Sequence, residues 1–166
     1  MANIDWRRLE ILIVEDNRYI TALITTILRS VGARDIRNTV NGAGALSLLQ
    51  ERRVDIVLAD YLMESMDGIE FTKAVRRNPD SVDPFLPIVM VTGFNDAGVI
   101  RRAIDAGVNT IVIKPVAPKT LLTHVARTLL MPRPFVRTKS FFGPTRRRPA
   151  PAPFRGPDRR KKPQED

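Results

Sequence analysis

Over the first 131 residues the apolar side chains follow two alternating patterns. Short unbroken apolar runs are separated by longer stretches in which apolar residues recur at three- or four-residue intervals. The runs are too short for helices and read as strands buried on both faces. They are Glu10-Ile-Leu-Ile-Val14, a weaker one from Arg34 to Val40, Val54 to Ala59 ending at Asp60, Leu86 to Val91, and Val108 to Ile113. Pro87 falls at a strand start, where a missing N–H is tolerated. The periodic stretches read as helices. The first is capped by Asn17 and runs to about Ser30, with Ile20, Leu23, Ile24, Ile27 and Leu28 facing inward. The second follows Asn41-Gly-Ala, with Leu46, Leu48 and Leu49 as its apolar side. The third opens at Asp67-Gly68 and carries Ile69, Phe71 and Val75. The fourth spans Asp96 to Ala106 and is closed by Gly107. The last begins at Pro118, with Leu121, Leu122, Val125 and Leu129 inward.

Five βα units with apolar strands imply an α/β fold. Its parallel sheet is doubly wound, with helices on both faces. Ligands of such folds bind outside the carboxyl ends of the strands. Those ends are where function is to be sought.

Charge divides the chain at the same place. Residues 1–131 hold 16 Lys+Arg and 15 Asp+Glu, a net of +1, and 5 prolines. Residues 132–166 hold 11 basic and 3 acidic residues, a net of +8, and 8 prolines. The overall +9 therefore describes a basic, proline-rich tail, expected to be disordered, behind a nearly neutral domain. The absence of cysteine excludes thiol catalysis, disulfide scaffolds and cysteine-bound zinc. A single histidine, His124, leaves little room for a histidine metal site or a Ser-His-Asp triad, and it reads as a partly exposed surface residue. No apolar run reaches the length of a membrane span or a secretory signal core, which points to a cytoplasmic protein.

The strand ends carry a specific set of groups. Glu15-Asp16 follows the first strand, Asp60 the third, Thr92-Gly93 the fourth and Lys114-Pro115 the fifth. If they converge, three carboxylates meet one hydroxyl and one ammonium. Clustered carboxylates require a cation, and oxygen-only ligands suit Mg²⁺ or Mn²⁺ rather than zinc. A divalent cation with a lysine and a hydroxyl is the equipment for handling a phosphoryl group. A carboxylate can itself accept that group.

Four segments, Ile11-Leu-Ile-Val-Glu-Asp-Asn17, Asp55-Ile-Val-Leu-Ala-Asp60, Met90-Val-Thr-Gly93 and Ile113-Lys-Pro115, resemble the signature blocks of response-regulator receiver domains. The resemblance covers roughly residues 8 to 131. It implies a five-stranded flavodoxin-like sheet of order 2-1-3-4-5, the order given for this fold in general treatments. It implies that Asp60 is phosphorylated by a histidine kinase or histidine phosphotransfer protein of a bacterial two-component system. Glu15, Asp16, Asp60 and the backbone carbonyl of Leu62 would hold Mg²⁺. Thr92 and Lys114 would bind the phosphoryl oxygens. The Lys114-Pro115 peptide is often cis in this family.

Three positions depart from the family pattern. Ile111 stands where an aromatic switch residue is usual, three before the lysine. Glu64 follows Met63 where proline is common, which leaves the loop after Asp60 more acidic. Leu62 and Phe94, two residues past Asp60 and Thr92, are bulky and apolar. They are expected to shield an acyl phosphate from water and slow its hydrolysis. The pairs Arg76-Arg77 and Arg101-Arg102 read as solvated helix faces.

The tail repeats a motif. Phe141-Phe-Gly-Pro-Thr-Arg-Arg147 and Phe154-Arg-Gly-Pro-Asp-Arg-Arg160 both match Phe-x-Gly-Pro-x-Arg-Arg. Arginine with phenylalanine suits RNA or single-stranded DNA. Two copies also suit an acidic protein groove, with avidity, and this is favoured over nucleic acid; a solubilising tail that takes no part in binding is favoured over both. The whole chain is expected to be a single-domain response regulator, 1–131 receiver and 132–166 tail, without enzymatic turnover or output domain. It would act on an unknown downstream protein, or as an intermediate or sink in a phosphorelay. The alternative is a receiver-like scaffold that is never phosphorylated and binds a protein or RNA through its basic tail. An aspartyl phosphatase is disfavoured because Leu62 replaces the second acid such enzymes place there. An FMN carrier is disfavoured because no hydroxyl- and glycine-rich loop follows the first strand.

Overall fold

The structure, a computed structural model, describes residues 4–146. After a short 3₁₀ turn at Trp6–Arg8, strands and helices alternate. They are β1 (Glu10–Val14), α1 (Arg18–Ser30), β2 (Asp35–Thr39), α2 (Gly42–Glu51), β3 (Ile56–Asp60), α3 (Gly68–Arg77), β4 (Ile88–Thr92), α4 (Ala97–Ala106), β5 (Thr110–Ile113) and α5 (Pro118–Leu130). The sheet order is β2-β1-β3-β4-β5 with every pair parallel, as expected. The register aligns Val14 with Ala59, Asp60 with Val91 and Thr92 with Ile113. All the polar strand ends therefore emerge along one edge of the sheet.

Strand side chains alternate between two cores, because successive residues point to opposite faces. Ile11, Ile13, Leu58, Val89, Val91 and Val112 face α1 and α5, where Ile24, Ile27, Leu28, Leu121 and Val125 meet them. Leu12, Val14, Val57, Ala59, Ile88 and Met90 face α2, α3 and α4, against Ala45, Phe71, Val75 and Ala103. Each fully buried leucine, isoleucine or phenylalanine contributes roughly 1.5–3 kcal/mol. The helix starts follow local chemistry. Asn17 accepts hydrogen bonds from the backbone N–H of Tyr19 and Ile20, Asn41 from Gly44, and Asp67 forms a reciprocal capping box with Glu70. Gly107 closes α4 in the left-handed region, φ 104°.

Three expectations are corrected. Strands β3, β4 and β5 begin two residues later than the apolar runs suggest, because polar residues cap the sheet there. The Asp55 carboxylate accepts from the Glu10 N–H (2.9 Å), and Asn109 Oδ1 accepts from the Ile88 N–H (2.9 Å). Arg76 is not on a solvated face but 2% exposed. Its guanidinium donates to the carbonyls of Gly107 and Pro84 and to Asn109 Oδ1, each at 3.0 Å. Finally, residues 132–146 are not a disordered stretch. They form an antiparallel hairpin, β6 (Phe135–Arg137) and β7 (Phe142–Pro144), folded against α3. Phe85, Phe135 and Phe142 meet in one aromatic cluster with ring centroids 5.1–5.5 Å apart, and Arg76 lies 5.1 Å from the Phe135 ring. Arg133 donates to the carbonyls of Thr145 and Asn109. The second motif copy, 154–160, and the rest of the tail from 147 lie outside the described residues.

Candidate functional site

Each strand end delivers one polar group to the carboxyl edge of the sheet. Glu15 follows β1 and is 3% exposed. Its backbone N–H donates to the Thr39 carbonyl of β2, which fixes its main chain, and its carboxylate Oε1 accepts from the Asn17 N–H. Asp16, next along, is exposed. Asp60 is the last residue of β3 and is 8% exposed. Its Oδ1 accepts from the Tyr61 N–H at 2.7 Å. The loop after it turns sharply into α3. A Cβ on Gly68 would lie 2.2 Å from the Asp60 carbonyl oxygen, so only glycine lets the helix start this close to the strand end.

Thr92 ends β4 and is 1% exposed. Its Oγ1 accepts from the Phe94 N–H at 3.0 Å, while its carbonyl accepts from the Lys114 N–H at 2.7 Å. Lys114 follows β5, and the Lys114-Pro115 peptide is cis. Its ammonium bridges Glu15 Oε2 at 2.8 Å and Asp60 Oδ2 at 2.9 Å. Five of the six residues singled out in the sequence thus converge through their side chains or the bonds between them. Leu62, named for its backbone carbonyl, lies two residues past Asp60 with its side chain exposed.

Among the described residues, Glu15, Asp16 and Asp60 each offer a carboxylate oxygen, all within 4.8 Å of one another. Such a set suits a hard, oxygen-preferring dication. Its electrostatics are those of a site short of positive charge. Burial raises the Glu15 pKa above the ordinary glutamate value; the Lys114 hydrogen bond opposes this in part, and the Asp60 charge adds to it. Burial works against the Lys114 ammonium, but its bonds to Asp60 and Glu15 outweigh that and hold its pKa above the usual lysine value. One lysine for three clustered acids leaves room for a further cation.

Two further neighbours of the site, Tyr61 and Arg102, come together without a signal in local sequence. The Tyr61 ring packs edge-on against Phe94, centroids 5.5 Å apart, and its hydroxyl accepts from Arg102 of α4 at 2.9 Å. An aromatic residue directly after Asp60 is visible in the sequence, but its partner on α4 is 41 residues away. Ile111 is half-buried against the α2–α3–α4 core. His124 is half-buried too, and its Nδ1 shares a 2.9 Å hydrogen bond with the Thr110 hydroxyl. No helix among the described residues is long and apolar enough to cross a membrane.

Comparison with known proteins agrees with this fold. Residues 11–126 match the model of the response regulator receiver domain. The DNA-binding response regulator MtrA of Mycolicibacterium smegmatis is 32% identical over 125 residues, covering 75% of this chain and 52% of that protein. The cyclic di-GMP phosphodiesterase response regulator RpfG of Xanthomonas campestris is 30% identical over 122 residues, covering 73% of this chain and 32% of that protein. The chain therefore spans between about a third and about half the length of these relatives. Among solved structures, the receiver domain of the sensor histidine kinase PA1611 from Pseudomonas aeruginosa aligns with a TM-score of 0.66 at 28% identity. It covers 73% of this chain and 97% of that one, and it holds a magnesium ion in its active-site cleft.

Proposed function

Since this chain belongs to the response-regulator receiver family, we propose that it accepts a phosphoryl group on Asp60 from the phosphohistidine of a histidine kinase or phosphotransfer protein. The observation that carries this reading is the bridge from Lys114 to both Glu15 and Asp60, within an acid cluster tight enough for a dication.

Asp60 Oδ2 attacks phosphorus in line with the departing imidazole nitrogen. The P–N bond breaks as the P–O bond forms, its electron pair returns to the ring nitrogen, and the imidazole, already protonated on its other nitrogen, leaves neutral. Asp60 Oδ1 stays bound to the Tyr61 N–H, which fixes the carboxylate plane. Glu15, Asp16, Asp60 and the Leu62 carbonyl would hold Mg²⁺, whose charge offsets repulsion between the carboxylate and the incoming phosphoryl oxygens. Lys114 gives up Asp60 Oδ2 and pairs with a phosphoryl oxygen, a role for a cationic point charge. The Thr92 hydroxyl turns to donate to another, and its bond to the Phe94 N–H weakens.

That bond sets the output route. With Ile111 in place of a switch aromatic, the ring that answers Thr92 is Phe94. It rests on Tyr61, and Tyr61 is bonded to Arg102, so the change reaches α4. The test is the intact mass of the purified protein after incubation with a small phosphodonor, with and without Mg²⁺. One added phosphoryl group that requires Mg²⁺ and is absent from Asp60→Asn is the expected result. No adduct in a chain that still binds Mg²⁺ would favour the unphosphorylated scaffold.

A further inference from the structure

The first copy of the Phe-x-Gly-Pro-x-Arg-Arg motif builds a wall. Gly143 sits so close to the end of α4 that a Cβ there would lie 2.8 Å from the Gly107 Cα. Pro144 is buried in β7. This close approach sets the hairpin beside α3 and α4, and a cleft of about 350 Å³ lies between the three. Lys73 and Arg77 of α3 line it, with Arg102 and Asp105 of α4 and with Ser140, Phe141 and Arg146 of the hairpin.

Four of these residues are cations and one is an acid. Asp105 is paired with Arg146, which leaves Lys73, Arg77 and Arg102 uncompensated within the lining. Glu70, the next acid along α3, is committed to the capping box with Asp67. Residues at i and i+4 share one helix face, so Lys73 and Arg77 repel each other, and Arg102 adds a third charge from α4. Such a gathering is unfavourable until an anion joins it.

The cations are oriented by partners that take little of their capacity. Arg77 donates to the Ser140 carbonyl and Arg102 to the Tyr61 hydroxyl, each at 2.9 Å. Both partners are neutral, and an arginine has further N–H groups to offer. Lys73 is in no ion pair or hydrogen bond among the described residues. Arg146 lies 4.8 Å from the centroid of the Phe141 ring and covers it.

We propose that this cleft binds a small molecule through a diphosphate group, either free pyrophosphate or a nucleoside diphosphate. Its volume falls in the small-molecule range of about 300–1,000 Å³. One phosphate group carries about −1.5 to −2 charges, so three uncompensated cations call for two linked ones. Arg77 and Arg102 grip phosphoryl oxygens through their remaining N–H groups, and Lys73 adds a point charge. An acidic protein segment fits less well, because the lining offers no free apolar anchor. Single-stranded nucleic acid fits less well too, because stacking needs a ring face and that of Phe141 carries Arg146. Such binding needs no phosphoryl group on Asp60.

The test is a titration of the full chain with pyrophosphate, followed by amide NMR signals, without Mg²⁺ and at about 0.15 M salt, where the Debye length is about 8 Å. The largest shifts are expected at Lys73, Arg77, Asp105 and Phe141. Lys73→Glu is expected to weaken binding by about tenfold or more. Arg29→Glu, the same charge change on exposed α1 across the sheet, is expected to weaken it by less than about twofold. Inorganic phosphate is expected to bind about tenfold more weakly than pyrophosphate. Adenosine diphosphate that binds no tighter than pyrophosphate points to the free diphosphate, and tighter binding points to a nucleotide. No binding, largest shifts around Lys114 or in residues 147–166, or equal effects of the two charge reversals would overturn the proposal. So would an acidic peptide or an RNA oligonucleotide that binds this cleft more tightly than pyrophosphate.

Discussion

Lys114 and Arg76 are both cations drawn out of water by this fold, one at each end of the sheet. Lys114 faces two carboxylates, and its pKa is raised. Arg76 faces two backbone carbonyls and an amide oxygen, with Asp83 only nearby, and burial lowers its pKa to about 10. The difference separates chemistry from architecture. A lysine shared by two carboxylates can change partners when new negative charge arrives. A guanidinium solvated by neutral oxygens has nothing to exchange, and it ties α3 to the lead-ins of β4 and β5 and to the hairpin.

Substitutions can break this contrast. The largest effect is expected from Asp60→Asn, which abolishes phosphoryl uptake, whereas Arg76→Ala leaves the uptake rate near that of the parent chain. Next is Lys114→Ala. Loss of a charge aimed at the transferring group is expected to slow uptake by about 100-fold, measured as adduct formed over time, with a modest change in melting temperature. Arg76→Ala reverses that pattern. Three buried acceptors lose their donor, and unfolding in urea is expected to reveal a loss of about 3 kcal/mol. If Lys114→Ala costs more stability than Arg76→Ala, the contrast fails.

A pH series sharpens the account of Glu15. Its raised pKa means that it protonates at a higher pH than an ordinary glutamate, so Mg²⁺ affinity is expected to fall as the pH drops into that range. Metal-free stability moves the other way. The folded state binds the proton more tightly than the unfolded state, so this group's contribution is full below the ordinary glutamate value and is lost as pH rises through the folded one. Calorimetry of the parent chain and Glu15→Gln checks both trends, and the variant is expected to flatten them. The smallest effect concerns shielding. Phe94→Ala is expected to shorten the phosphoprotein's lifetime severalfold, because it also releases Tyr61. Leu62→Ala is expected to do less, since Leu62 is 59% exposed.

The receiver fold was legible because its signals are local. Asn17, Asn41, Asp67 and Asp96 announce helix starts, and Gly107 announces an end. The site was legible for a topological reason: parallel strands bring Glu15, Asp60, Thr92 and Lys114 to one edge whatever the loops do. The other end of the sheet gave no such signal. Arg76 stands beside Arg77 in a sequence that reads as an exposed pair, and contacts 8, 31 and 33 residues away bury it. The hairpin was hidden by composition. Proline and basic charge argued for disorder, while Phe135 and Phe142 find their core on Phe85, some fifty residues earlier. Tyr61 and Arg102 were missed for the same reason, since their bond spans two βα units.

The most direct test of the central claim identifies the residue that carries phosphorus. The protein would be phosphorylated in Mg²⁺ and reduced with borohydride, which converts an aspartyl phosphate to homoserine, and then mapped by peptide mass spectrometry. The account requires homoserine at residue 60 and nowhere else in the acid cluster. Reduction at Glu15 or Asp16, or a phosphoprotein with residue 60 unchanged, would contradict it.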